Sequence, residues 1–345
     1  MTAQRRLNIL VVFDLGIPPP ADHDYERYLK DDSFETEHCV IRSLRGMGHQ
    51  VRPFGVYDDI HGLIREIRER PPDLAFNLCE AFNKDRDQEP NIVGLFELMN
   101  VRYTGAGPTA LRICKDKGLT KKILSYHRIL IPRFVISRKA RPIKRLRRFS
   151  YPAFIKPLGL EASEGIAQMS FADDERGCLD RVRFIHESLK VDAIVEEYID
   201  GREIYVGILG NHHLQVLPPR ELFFGQVPEG EPKFATFRAK WDENYRRRWG
   251  IKSGPAEEIP ERTLRKMAEI CKKVYRLFEI KGYARIDLRL NSRGEVVFLE
   301  ANPNPSLSLY EDFALAAKRA SVEYDDLIRR IVVLSGINGA QRARA

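Results

Sequence analysis

The first hundred residues alternate short apolar runs with amphipathic ones, and this alternation narrows the possible folds more than any other feature. In order they read LNILVVF, SFETEHCVIRSLRGMG, QVRPFGV, DDIHGLIREIRER, DLAFNL, PNIVGLFELMN and VRYTG. The compact apolar runs predict buried strands, and the longer segments, apolar at every third or fourth position, predict helices. A β-α-β-α-β-α-β order predicts a parallel sheet, because parallel neighbours need crossovers that helices supply. A Rossmann-like α/β domain is therefore expected over residues 1–110. LNILVVF serves as its first strand, since Asp14 ends the apolar run too early for a signal peptide and no segment is long enough to span a bilayer. A cytoplasmic location follows as the expectation. The Pro- and Asp-rich insertion GIPPPADHDYERYLKDD comes after this strand, at the sheet edge where loops build sites.

Past residue 110 the pattern turns to α+β. A helix is predicted from Pro108 to Tyr126, and IPRFVIS opens a second unit. YPAFIKP and IAQMSF flank the loop LGLEASEG, LDRVRFIHESL reads as a helix, and AIVEEYI, REIYVGIL and HHLQVLPPREL read as strands. Residues 229–257 are polar, basic and weakly patterned, as a mobile loop would be. ERTLRKMAEICKKVYRLFEI is a helix, and FALAAKRASVEYDDLIRRIVVL closes the fold. The expected division is 1–110, a central unit 111–204, a C-terminal unit 205–335 and a disordered tail 336–345. The net charge of +8 suits an anionic partner without naming one. Neither basic run, RPIKRLRRF or NYRRRWGIK, interleaves aromatics as a stacking platform does, so solvated surface is the better reading and nucleic acid is not expected. Five widely spaced cysteines without a C-x-x-C pair argue against a disulfide framework or zinc site. No Ser/His/Asp or Cys/His arrangement can be assembled.

Chemistry concentrates in GYARIDLRLNSRGEVVFLEANPNPSLS, residues 282–308. Two runs fit for an interior each carry an acid, Asp287 and Glu300, and NSRG between them predicts a hairpin. With Leu290 opposite Glu295, Arg285 would oppose Glu300 and Asp287 would oppose Phe298, putting Arg285, Asp287, Glu300 and Asn302 on one face. Two carboxylates and an amide are hard oxygen ligands of the kind Mg²⁺ takes. The competing reading pairs Asp287 and Glu300 with Arg285 and Arg289 across a solvated face. Upstream, Lys156 precedes a loop holding Gly159, Ser163 and Gly165, which suits a phosphate cradle or an ordinary hairpin. Lys117 and Lys121 share a helix face four residues apart. EEYIDGREI offers Glu196 and Glu203 on either side of a turn.

Taken in order, DKGLTK, FIKP with its small-residue loop, EEYIDGRE, GYARIDLRL and FLEANPNP resemble the ATP-grasp fold, and specifically the D-alanine–D-alanine ligase-like enzymes. The likeness runs from about residue 7 to 335. It implies an ATP-dependent carboxylate–amine ligase working through an acylphosphate, on small-molecule substrates, with ATP and Mg²⁺ or Mn²⁺ as cofactors and a homodimer as the assembly. It also implies roles. Lys117 and Lys156, with Ser163 in the loop, would contact ATP phosphates; Glu196, Glu197 and Ile199 would meet adenine; Glu203 would meet ribose. Lys240 would come from a loop closing over phosphate, Arg285 would stabilise phosphoryl transfer, and Asp287, Glu300 and Asn302 would hold the metal. Other expectations are a ligase acting on a protein or peptide terminus, and an ATP-binding protein without ligase activity.

The sequence departs from the ligases around the substrate. Their His-Gly and Gly-Glu-Asp-Gly motifs are replaced by FNLCEAFNKDRDQEPN, where Asn77, Glu80 and Glu89 become the substrate candidates. Glu37 matches the ligases' ammonium-holding glutamate. Ser306 stands in place of a glycine, and Glu311 lies near the place of a serine that holds a carboxylate. An acid there favours an amine over a carboxylate, so substrates other than two D-alanines are expected.

Overall fold

The computed structural model describes residues 6–19, 24–160, 164–227, 232–236, 238–239 and 242–336. Its first strand, β1 (Asn8–Asp14), lies between β2 (Gln50–Val56) and β3 (Leu74–Asn77), parallel to both. Ile9 through Phe13 have no exposed surface, which explains the unbroken apolar run: a central parallel strand is covered on both faces. Leu10 and Val12 face a core with Leu63 and Ile67 of α2 (Ile60–Glu69) and Phe96 of α3 (Glu89–Leu98). Ile9 and Val11 face the opposite way, toward Val40, Ile41 and Leu44 of α1 (Glu35–Gly46).

Two local expectations fail here, each for a traceable reason. VRYTG forms no strand; it contributes a single parallel bridge from Tyr103 to Ala75 before the chain turns away at Gly105. Gly105 has φ +88°, and a Cβ on it would lie 2.2 Å from Asn304 Oδ1, so only glycine fits. The helix expected over Pro108–Tyr126 is two helices, α4 (Pro108–Lys115) and α5 (Lys117–Tyr126). Asp116 leaves helical geometry at ψ 92° and accepts the N–H groups of Gly118 and Leu119, both at 2.9 Å. A carboxylate that satisfies two orphan donors makes a new helix start cheap to form.

The remainder builds two antiparallel sheets. One has the order β4 (Phe134–Ser137), β7 (Ala193–Glu197), β5 (Ala153–Pro157), β6 (Phe171–Ala172), backed by α6 (Glu175–Phe184). The other runs β11 (Ile251–Pro255), β10 (Arg220–Phe224), β8 (Arg202–Leu209), β12 (Tyr283–Leu290), β13 (Val296–Pro303), with the two-residue β9 (Gln215–Val216) beside β8. HHLQVLPPREL thus supplies two short strands, β9 and β10. The short α7 (Glu243–Trp249) leads into β11. Below the larger sheet, Met267, Cys271 and Val274 of α8 (Glu261–Leu277) meet Ile286, Leu288 and Phe298. The closing segment forms α9 (Asp312–Arg319) and α10 (Tyr324–Leu334), whose Phe313, Leu327 and Ile331 share a core with Ile9 and Val11. The last helices therefore tie the larger sheet to the N-terminal one. All five cysteines are buried and unbridged, and no described helix is long and apolar enough to cross a membrane.

Candidate active site

The hairpin forms, in a register different from the expected one. Its turn runs from Asn291 to Glu295, closed by Asn291 N–H to the Glu295 carbonyl at 3.1 Å, with Gly294 at φ +72°. Leu290 consequently faces Val296, one residue beyond the expected partner. A bulge then shifts the register again: Leu288 pairs with Phe298, but Asp287 pairs with Glu300, leaving Leu299 extra. The two slips add to one full period of the strand. Arg285, opposite Asn302, and Asp287, opposite Glu300, therefore still share a face.

Across the other edge of β12, β8 continues that face, with Tyr205 opposite Asp287 and Glu203 opposite Arg289. Arg285 grips Asp287 with Nε at 2.8 Å and Nη2 at 3.0 Å, and its guanidinium lies 4.7 Å from the Tyr205 ring centroid. Burial works against the Arg285 charge, but the Asp287 carboxylate outweighs it and raises the guanidinium pKa further. Asn302 Nδ2 donates to Asp287 Oδ2 at 3.0 Å. Half of the competing reading is thus realised: Arg285 does pair with Asp287. Arg289 instead pairs with Glu203 at 3.0 Å.

Facing this sheet, three lysines converge. Lys117, at the first position of α5, lies 3.4 Å from Glu300 and donates to the Leu160 carbonyl at 2.5 Å. Lys121 and Lys156 flank Glu196 at 3.2 and 3.0 Å. Burial would raise the Glu196 carboxyl, but the two ammonium groups hold it below its usual value. Burial pushes Lys121 down to about 8 against the pull of Glu196. Glu196 Oε1 is thereby the counter-charge of both lysines, and its side chain lines the cleft beside Lys156.

Between the two sheets lies a cleft lined by Lys156, Glu196–Ile199, Glu203, Asp287, Arg289 and Glu300, with Phe154, Ile166, Phe234 and Leu299 as apolar walls. Phe234 packs edge-on against Phe154 at 4.8 Å. A larger groove follows β2 around Tyr25, Phe54 and Arg65 but gathers none of the sequence candidates. Lys240 and Ser163 fall outside the described residues, as does all but the first residue of the 336–345 tail.

The substrate candidates divide. Glu37 is half-buried near Asp14 and Glu80, and burial, with those carboxylates adding, raises it to about 7. Glu80 N–H donates to Asp14 at 2.7 Å, and its carboxylate holds Arg86 at 2.6 Å. Ser306 and Thr36 hydroxyls meet at 3.2 Å, and Ser308 donates to Glu35, so the loop after the hairpin is sewn to the start of α1. Glu311 is exposed at the head of α9. Asn77 and Glu89 are buried: Asn77 Oδ1 accepts from Cys79 N–H at 3.3 Å, and Glu89 pairs with buried Lys115 at 2.9 Å. The sequence reading passed over Tyr205 and Phe234 and treated Arg289 only as a solvated pair partner. Its period-two rule, applied to β8 as it was to β12, would have placed Tyr205 beside Glu203.

Comparison with known proteins agrees with this geometry. Residues 114–333, close to two thirds of the chain, match the family model described as D-ala D-ala ligase C-terminus. An uncharacterized protein, y4sG, of Sinorhizobium fredii is 29% identical over 305 residues, covering 85% of each chain. The vancomycin/teicoplanin A-type resistance protein VanA of Enterococcus faecium is 27% identical, covering 80% of this chain and 78% of its own. The D-alanine–D-alanine ligase of Pelotomaculum thermopropionicum is 25% identical, covering 91% and 95%. Among solved structures, D-alanine–D-alanine ligase from Bacillus anthracis complexed with ATP superposes with a TM-score of 0.74 at 19% identity, over 97% of this chain and 99% of that one. Its fold is the one seen here. Matched by that family model over most of its length and sharing this fold, the chain belongs to the D-alanine–D-alanine ligase family and has the ATP-grasp fold.

Proposed function

We propose that the protein is an ATP-dependent ligase joining a carboxylate to an amine through an acylphosphate, on small-molecule substrates other than two D-alanines. The observation that carries this reading is the single sheet face bearing Arg285, Asp287, Glu300 and Asn302 opposite Lys117, Lys121 and Lys156. Cations without a nucleophilic side chain suit phosphoryl transfer, which needs positioning and charge neutralisation rather than a covalent residue. In this chemistry a substrate carboxylate oxygen bonds to the γ-phosphorus as ADP leaves. The amine nitrogen then bonds to the acyl carbon as phosphate leaves, and the amine's surplus proton passes to solvent.

Asp287 and Glu300 are direct cross-strand partners and Asn302 follows on the same face, so their hard oxygens fit Mg²⁺ or Mn²⁺. When bound, such an ion would neutralise phosphate charge. Lys117 and Lys156 would hold phosphates, Ser163 and Lys240 would add phosphate contacts, and the backbone of Glu197–Ile199 would edge the base. Glu203 would face the ribose, and Arg285 would meet the charge that develops at the reacting centre. Division into units 1–110, 111–204 and 205–335, and a homodimeric assembly, belong to the same proposal. Glu37 and Glu80 would receive an ammonium group. Exposed Glu311, close to the Ser306 turn, supports an amine substrate that brings no carboxylate of its own.

Phosphate release from ATP, screened over pools of carboxylates and amines with mass spectrometry of the products, tests the reading. Substrate-dependent release with an amide product is expected. ATP binding without release in any pool would sink it.

A further inference from the structure

Arg289 does more than neutralise an acid. On β12 it lies directly opposite Glu203 of β8, and both are buried, at 4% and 7% exposure. Its Nη2 donates to Glu203 Oε2 at 3.0 Å, while Nη1 donates to the carbonyls of Gly201 at 3.1 Å and Lys233 at 3.0 Å. Tyr205 OH donates to the other carboxylate oxygen, Oε1, at 2.9 Å. One guanidinium therefore joins the cleft floor to two stretches of main chain. Gly201 sits in the turn that follows the Glu197–Ile199 wall, and Lys233 precedes Phe234, an apolar wall of the cleft. Tyr198 OH braces the same segment, accepting from the Lys233 N–H at 3.0 Å.

A plain ion pair would need only one of these bonds. The additional ones fix an orientation, which is what a planar fork of donors does and an ammonium cannot. Each carboxylate oxygen has two lone pairs. With one on each taken from within the protein, one on each is left, side by side and unable to rotate. That is the acceptor pattern for two neighbouring hydroxyl groups.

We propose that Arg289 is a positioning residue that sets the sugar specificity of the nucleotide cleft. It aims Glu203 at a vicinal diol and ties the chain at Lys233 to the same point. This rests on the nucleotide reading given above. A nucleotide lacking the 2′-hydroxyl leaves one fixed acceptor unpaired, and an unpaired buried acceptor costs more than a missing bond in water.

The test is calorimetric binding of ATP and of 2′-deoxy-ATP, each with Mg²⁺, to the full chain and to its Arg289→Met, Arg289→Lys and Tyr205→Phe variants. The wild type is expected to favour ATP by roughly tenfold or more, the scale of one hydrogen bond to a charged group. Arg289→Met should bring that ratio close to one, with Arg289→Lys and Tyr205→Phe in between. Should the methionine variant fail to fold, the lysine and phenylalanine variants carry the test. An unchanged ratio in variants that still bind ATP overturns the inference and leaves the ligase reading standing. A wild type that binds neither nucleotide overturns both.

Discussion

Replacing Glu196 with glutamine tests the electrostatic centre of the cleft. The carboxylate stands between Lys121 and Lys156 at 3.2 and 3.0 Å, and Lys121 has no exposed surface. Without it, Lys121 is a buried ammonium beside another ammonium and should surrender its proton. Neutralising an ordinary lysine at pH 7 costs about 4–5 kcal/mol, and breaking a buried pair costs about 3–5 kcal/mol, so the variant should lose stability of that order. The pH dependence gives a sharper check. Below about 8, the folded value for Lys121, the wild type keeps this proton folded and unfolded alike, and the group adds no slope. The variant folds with Lys121 neutral while its unfolded chain stays charged, so its stability climbs with pH. The penalty should shrink by up to about 1.4 kcal/mol per unit as pH rises toward 8, then level off because Lys121 is neutral in both folded proteins. Urea unfolding followed by circular dichroism at about pH 6.5 and 8.5 measures this. A penalty under about 1 kcal/mol, or one equal at both values, would refute the reasoning.

Other outcomes follow from the same geometry. Asp287→Asn and Glu300→Gln should each abolish Mg²⁺-dependent phosphate release while leaving the circular dichroism spectrum unchanged; near wild-type turnover in either would dismiss the assigned role. Glu37, raised to about 7, ionises in the unfolded chain before it does in the folded one. Its contribution is fully present below the ordinary carboxyl value and is lost as pH rises to 7, so Glu37→Gln should gain stability relative to wild type across that window. Equal stabilities at pH 4 and pH 8 would contradict this. Gly105→Ala places a methyl 2.2 Å from Asn304 Oδ1 at φ +88° and should lower the thermal midpoint, with about 1–3 kcal/mol lost to backbone strain alone; an unchanged midpoint would show that the loop relaxes freely.

Periodicity made the N-terminal sheet legible because β1 is buried on both faces, and a strand of that kind has to be apolar throughout. It also brought Asp287 and Glu300 to one face. The register itself was not readable, since neither the length of the turn at Asn291–Glu295 nor the extra residue at Leu299 leaves a mark in hydrophobic pattern. The break at Asp116 was hidden for a related reason. Lys115 and Lys117 both suit a helix, and only the capping geometry of the residue between them separates α4 from α5. Lys121 and Glu196 are far apart in sequence, and their pairing depends on how α5 meets β7, which no local rule supplies. Arg289 looked like a surface charge because its partner lies on β8, 86 residues away.

The bulge at Leu299 changes how this site can evolve. In a regular strand the neighbour of a cleft-lining acid points into the core, so its identity is held by packing. Here Leu299 and Glu300 both line the cleft, and adjacent codons govern an apolar wall and an acid of the same cleft. The shape of the wall can drift by single substitutions while the acid and the core beneath stay as they are. Leu299 is accordingly the position at which the shape of this cleft can be retuned most independently of its charges.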